Sequence, residues 1–269
     1  MGVIKQAGYT LPSGDQPLTH ARIAHSNNWI SGTATASSTA SDRFVDAPND
    51  PLTYYFWGPS SLPGTWTLTP TAAQTVDYCC IAAHTMGTNG NALTVEYEQS
   101  PGVWVALISN VSIEDDMPVF AIFEPVSGTA FRVTVSGGTV PRLGVIKFGR
   151  ALQMPQQLYG GHKPLDLSRQ TTMRSTKSTT GEFLGRTRLR NALSTNISWQ
   201  HIKAQWIRDN WKTFQFAMEQ DPFFLAWRPE TFSEVGYCYV EGGELPAPTN
   251  MGVLDFMEVS MDIIGHGYE

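Results

Sequence analysis

The stretch that most constrains this chain is Ser198–Pro229, SWQHIKAQWIRDNWKTFQFAMEQDPFFLAWRP, which carries the one long helical pattern in an otherwise β-patterned sequence. Ile207, Trp211, Phe214 and Met218 fall at i, i+4, i+7 and i+11, so one face is apolar. Lys203, Arg208 and Lys212 lie mostly off that stripe. Ser198 is an N-cap candidate. Asp221 precedes Pro222 and so avoids the helical region, which ends the helix. The spacing predicts one α-helix over about 199–219. A lone helix of this length is stable only when it covers a sheet. Strand patterns follow at once in PFFLAW, VGYCYVEG and LDFMEVSMDIIG. In the last, Leu254, Phe256, Val259, Met261 and Ile263 do not share one parity, which predicts a bulge at Phe256–Glu258.

Upstream, short β-prone runs are divided by Gly, Pro and Asn turns about every ten residues. They include TWTLTP, TVDYCCIAAH, ALTVEYEQ, VWVALIS, PVFAIFE, AFRVTVSG and LGVIKFG. The clean alternation of LTVEYEQ and FRVTVSG puts one face in a core and one in solvent. The fold class is therefore mainly β, an N-terminal antiparallel β-sandwich followed by a C-terminal β-barrel or sandwich with one covering helix. The expected division is an arm at 1–20, a sandwich at 21–149 and a second β-domain at 150–269. The last contains a polar hairpin arm at about 165–195.

Charge is unevenly spread. The net charge is −6, yet residues 150–190 hold eight Lys or Arg against Asp166 and Glu182. That segment is thus +6 and the remainder −12. An acidic chain is a poor general nucleic-acid binder. Arg186, Arg188 and Arg190 alternate along one strand, but no base-stacking aromatics are interleaved with them, which argues against nucleic acid as a partner. The arm's cations (Arg169, Arg174, Lys177, Arg186, Arg188 and Arg190) suit acidic surfaces of neighbouring copies instead. Charged residues are only 16% and aromatics 11%, a balance that fits either a surface hidden in an assembly or a neutral Ser/Thr-rich β-protein.

Cys79 and Cys80 are adjacent in a strand pattern and point to opposite faces. With Cys238 they read as buried thiols, since no metal-ligand spacing is present. MGVIKQAGYTLPSGDQ has no apolar run of signal-peptide type and no stretch reaches transmembrane length. The expectation is a product made in the cytoplasm and not inserted in a membrane. No GxSxG, HExxH, P-loop or dinucleotide-binding motif occurs and the six histidines are scattered, so neither an enzyme nor a cofactor is expected. Asp46, Asn49 and Asp50, and Glu114–Asp116, carry oxygen ligands that suit a cation, and equally suit solvated turns.

Two resemblances add to this reading. Residues 21–149 resemble the galactose-binding-like sandwich of discoidin (coagulation factor 5/8 C-type) domains, carried by TATASSTAS, TYYFW, GTWTLTPTAAQTVDYCCIAAHTMG, ALTVEYEQSPGVWVALI and AFRVTVSGGTVPRLGVIKFG. Tyr97, Trp104 and Arg132 stand at the matching places, while the cysteine pair that flanks extracellular members is missing. The resemblance implies a jelly-roll sandwich that binds sugars through loops at one end. Candidate contacts are Trp29, Asn49, Tyr54, Tyr55 and Trp57, since aromatics beside polar groups match the two-sided character of a sugar. The same aromatics also suit a core or a subunit contact.

Residues 150–269 resemble the barrel domain of distal-tail-type ring proteins and minor tail proteins of long-tailed bacteriophages, carried by the Gly-containing hairpin Arg174–Arg190, the helix before DPFFLAWRP, the GYCYV strand and the final LDFMEVSMDIIG. In that family the sugar-binding-like module usually follows the barrel, whereas here it precedes most of it. The ring itself and an adjacent minor tail protein are therefore both open. The resemblance implies a virion structural protein of the tail tip that forms a hexameric ring. Its partners would be tail tube and hub or tip proteins, and its outer module would contact host-surface glycan. The alternative is a carbohydrate-binding adhesin or receptor binder without enzymatic activity.

Overall fold

The computed structural model describes residues 2–242, 245–252 and 255–267. Among them the chain forms three sheets that stack with one helix as successive layers.

The strands are β1 Val3–Lys5, β2 Arg22–Ala24, β3 Thr33–Ala36, β4 Gly64–Thr69, β5 Gln74–His84, β6 Ala92–Ser100, β7 Val103–Ser112, β8 Val119–Gly128, β9 Phe131–Ser136 and β10 Leu143–Gly149. They continue as β11 Leu152–Gln153, β12 Arg169–Lys177, β13 Phe183–Lys203, β14 Phe223–Ala226, β15 Val235–Val240, β16 Thr249–Asn250 and β17 Phe256–His266. The contiguous turns Ala204–Trp206, Ile207–Trp211 and Lys212–Met218 make up the helix α1.

An outer sheet of five strands, β3-β4-β9-β6-β7, packs on a middle sheet of four, β1-β8-β5-β10. This is the sandwich, and its core alternates along each strand as a period of two requires. In GTWTLT, Gly64, Trp66 and Leu68 are buried and face Phe131, Val133 and Val135 of β9. β1 joins the edge of the middle sheet in parallel with β8, so the N-terminal arm supplies a strand.

The middle sheet is covered on its other side too. Adjacent Cys79 and Cys80 record this: Cys79 lies in the sandwich core, while Cys80 lies in a separate core with Phe120, Val145, Phe224 and Tyr237. That second core joins the middle sheet to a third sheet of eight strands, whose pairing runs β11-β2-β14-β15-β17-β13-β12 with β16 beside β17. The far side of this large sheet carries α1. Ile207, Trp211, Phe214 and Met218 are all buried there against Ile197, Trp199, Phe223 and Leu225. Aromatic edges meet in a chain, with Trp211–Phe214 at 5.1 Å and Phe214–Phe223 at 5.0 Å, both near perpendicular.

Three details differ from the sequence reading. The helix begins at Ala204, not near 199, and Ser198 caps nothing because it lies in β13 opposite Ser260. The alternation of Ile197 and Trp199 into the core continues the strand past the serine. The bulge is in β13 rather than β17: two steps in β17, Val259 to Met257, oppose three in β13, Trp199 to Ile202, and His201 takes a φ of 58°. Leu254 lies outside the described residues. Finally, Arg22–Ala24 pairs with β14 and β11 in the large sheet, not in the sandwich. The sandwich strands β3–β10 therefore leave the large sheet after β2 and return to it at β11.

Candidate functional site

Two surfaces carry groups that the fold itself does not use. The first is the loop between β3 and β4 at one end of the sandwich. Here Phe44, Tyr54 and Tyr55 are 59%, 67% and 41% exposed. Tyr54 and Tyr55 rings lie 4.7 Å apart, and Phe44 meets Tyr55 edge-on at 5.8 Å. Three aromatic faces thus sit together in water. Phe56 stands beside them with the Arg142 guanidinium 5.8 Å from its ring.

This loop is held from beneath at several points. The Trp66 indole N–H donates to the Val45 carbonyl at 2.8 Å. The Trp57 indole N–H donates to Ser38 at 3.3 Å, and its backbone exchanges hydrogen bonds with Leu143. Lys147 donates its ammonium to the Asn49 carbonyl, and Tyr237 of the large sheet donates its hydroxyl to Pro51 at 2.6 Å. Burial pushes the Lys147 ammonium down to about 8. A buried cation must satisfy its donors, and the Asn49 carbonyl and the Trp29 ring, 4.6 Å away, do so.

The structure therefore separates the residues expected to contact sugar. Tyr54 and Tyr55 are brought together and exposed. Trp57 is fully buried in the sandwich core, where its large apolar ring is withdrawn from water, and cannot be a platform. Trp29 is half-buried against the core between sheets under Lys147, and Asn49 uses its backbone to hold that lysine and its amide to reach Gly32. Phe44 was missed. A lone large aromatic in the polar run SDRFVDAPND is the signal that could have found it.

The second surface is the hairpin of β12 and β13. β17 pairs with β13 from Ala192 to Lys203, so among the described residues the two strands form a ribbon from Thr172 to Arg190 with no third strand beside it. Arg174, Lys177, Arg186 and Arg188 lie on it and are exposed, Arg169 is exposed at its base opposite Leu193, and of Arg190 only the backbone is described. Apolar side chains are exposed with them: Met173 at 50%, and Phe183, Leu184 and Leu189 at 63% each. At the ribbon's root the Glu234 carboxylate accepts from the Leu165 N–H at 3.1 Å and the Trp227 indole at 2.7 Å. Burial, then a hydrogen bond to the Asp166 carboxyl, raises the Glu234 carboxyl to about 7.

On the sandwich, Arg132 binds Glu96 through Nε and Nη2 at 2.7 and 3.0 Å and lies 4.0 Å over the Trp104 ring. These residues of the discoidin-like pattern brace the outer sheet, not the loop end.

No protein-family model matches this sequence, and no curated protein does. Solved carbohydrate-binding modules are similar to part of it. A pectin-binding module is 16% identical, with a TM-score of 0.40 over 45% of this chain and 91% of that one. A family 32 module from C. perfringens NanJ, in complex with galactose, is 16% identical with a TM-score of 0.38 over 43% and 91%. A chitosan-binding module from a Paenibacillus chitosanase/glucanase is 16% identical with a TM-score of 0.39 over 47% and 98%.

Proposed function

We propose that this chain is a structural subunit of a bacteriophage tail tip, a ring-forming distal-tail or minor tail protein that joins the tail tube to the hub. The observation that carries the assembly role is the ribbon. A two-stranded hairpin is barely stable alone in water, and this one exposes Met173, Phe183, Leu184 and Leu189 among cations. Large apolar side chains exposed among charges on one projecting element mark a protein contact. The order of basic hairpin, covering helix and PFFLAW strand supports the tail-type assignment. The sandwich, inserted into the large sheet, is the displayed module. Analytical ultracentrifugation tests this reading. The intact chain is expected to form a closed oligomer, and replacing Thr172–Leu189 by a short turn should give a folded monomer. A chain that stays monomeric at high concentration, and binds no tail-tube protein, sinks the proposal.

A second reading, a glycan-binding adhesin, rests on the Phe44–Tyr54–Tyr55 cluster. Three water-facing rings on a braced loop suit the apolar face of a sugar. Binding on a glycan array that Tyr54→Ala and Tyr55→Ala abolish, with oligomeric state unchanged, would establish it. The two readings are compatible, since a tail-tip ring can also touch the host surface.

A further inference from the structure

We infer that the ribbon of one copy docks head to tail on the outer face of another copy's large sheet, its basic side against Asp262 and Glu258. This rests on the assembly reading above and names the receiving surface.

The ribbon's two sides differ. In the β12–β13 register Met173, Ser175 and Lys177 stand opposite Arg188, Arg186 and Phe183, so these six share one side. There Arg186 donates through Nε to Ser175 Oγ at 3.0 Å, lies 3.6 Å from Met173 Sδ, and sits 6.0 Å from the Phe183 ring centre. The guanidinium is spread over apolar surface, and Arg, Met and aromatics are the residue types that interface cores favour. The same side continues, strand residue by strand residue, into Leu193, Thr195, Ile197 and Trp199, which are buried. Ile197 and Trp199 lie in the core under α1. The ribbon is thus an extension of the core side of the sheet beyond the helix that covers its root.

A symmetric contact through the free edge is disfavoured. β12 reads RQTTMRSTK and holds no acidic residue. Antiparallel pairing of two such edges about Met173 sets Arg169 opposite Lys177 at both ends, and like charges directly opposite destabilise a sheet. The ribbon is matched better by a different, acidic surface, which makes the contact heterologous.

The large sheet offers one. On the face opposite α1, Asn196 and Ser198 of β13 pair with Asp262 and Ser260 of β17, and Glu258 follows on the same side. Asn196, Ser260 and Asp262 are exposed and none of these five is a cation; Lys203, opposite Phe256, borders the face at its far end. Asn196 Nδ2 donates to Asp262 Oδ1 at 2.9 Å, and Ser260 Oγ reaches Asn196 Oδ1 at 3.3 Å, so the small side chains form a flat, ordered face. A basic ribbon against this face satisfies the charge asymmetry of the chain. A heterologous contact of this kind closes a ring when its rotation divides a full turn.

Charge exchange tests it. Lys177→Glu with Arg186→Glu reverses the ribbon, and Glu258→Lys with Asp262→Lys reverses the face. Sedimentation velocity should show each variant dissociating at concentrations where the parent assembles, at least 10-fold weaker. A 1:1 mixture of the two, and a chain carrying both reversals, should reassemble. Circular dichroism confirms folding in each case. If the parent assembles and the face reversal changes nothing, this inference falls while the assembly reading stands. If the parent itself never assembles, both fall.

Discussion

The Trp66 indole donates to the Val45 carbonyl at 2.8 Å, one residue from the exposed ring of Phe44. A buried tryptophan of β4 thus sets the height of an aromatic that faces water. The loop is a braced platform, with its anchors in the cores and its contacts outside.

Trp66→Phe keeps most of the apolar volume and removes the donor. The Val45 carbonyl then loses its partner, at a cost of about 1–2 kcal/mol. Urea titration should show that loss, and hydrogen exchange should show faster opening of residues 42–47 than of β9.

Tyr54→Ala and Tyr55→Ala remove rings that belong to none of the three cores. Melting temperatures should stay within a degree or two, since surface changes away from structural features cost at most about 0.5 kcal/mol. Any glycan affinity should fall about 10-fold or more per ring, equivalent to about 1.4 kcal/mol. An equal loss on Trp57→Phe, without loss of stability, would contradict the platform geometry.

Trp211 is fully buried between α1 and the large sheet, in edge contact with Trp199 and Phe214. Trp211→Ala should cost about 3–5 kcal/mol. Denaturant unfolding followed by near-ultraviolet dichroism measures it. A cost below about 1 kcal/mol would mean that the helix is not a structural cover.

The root of the ribbon should respond to pH. The Glu234 carboxyl is raised from 4.5 to about 7 by burial and then by Asp166. The folded state binds this proton more tightly than the unfolded chain, so the stability it contributes is full below 4.5 and is lost as pH rises through 7. Melting temperature should therefore decline over that window. Glu234→Gln keeps an acceptor for Leu165 and Trp227 and should flatten the decline. Proteolysis at Lys177 and Arg186 should quicken at pH 8 in the parent and less so in the variant.

Alternation made the sandwich strands legible, because a strand such as FRVTVS buries every second residue, and the helical stripe was legible for the same reason at its own period. What pattern cannot reveal is pairing across long separations. Arg22–Ala24 is three residues long and its partner, Phe224–Ala226, lies some two hundred residues away. Nor does a loop have a period, so Trp57, buried, and Tyr54, exposed, look alike in TYYFW. The broken parity of LDFMEVSMDIIG marks no bulge in its own strand, where Met257, Val259, Met261 and Ile263 keep alternating into the core and Phe256 stands on the other side beside His201; the bulge lies in β13, where the pattern gave no sign of it.

The sandwich departs from the large sheet after Ile23 and comes back at Leu152, which pairs with that same Ile23. Exit and re-entry are neighbours, so strands β3–β10 behave as a cassette whose ends need no linker to meet, completed by β1 from the N-terminal arm. An exchanged cassette would still have to present an apolar outer wall where Cys80, Phe120 and Val145 now meet Phe224 and Tyr237. The loop end is tied to the same wall, since Tyr237 donates to the Pro51 carbonyl, so a change at the seam would be felt beneath the exposed rings of Tyr54 and Tyr55.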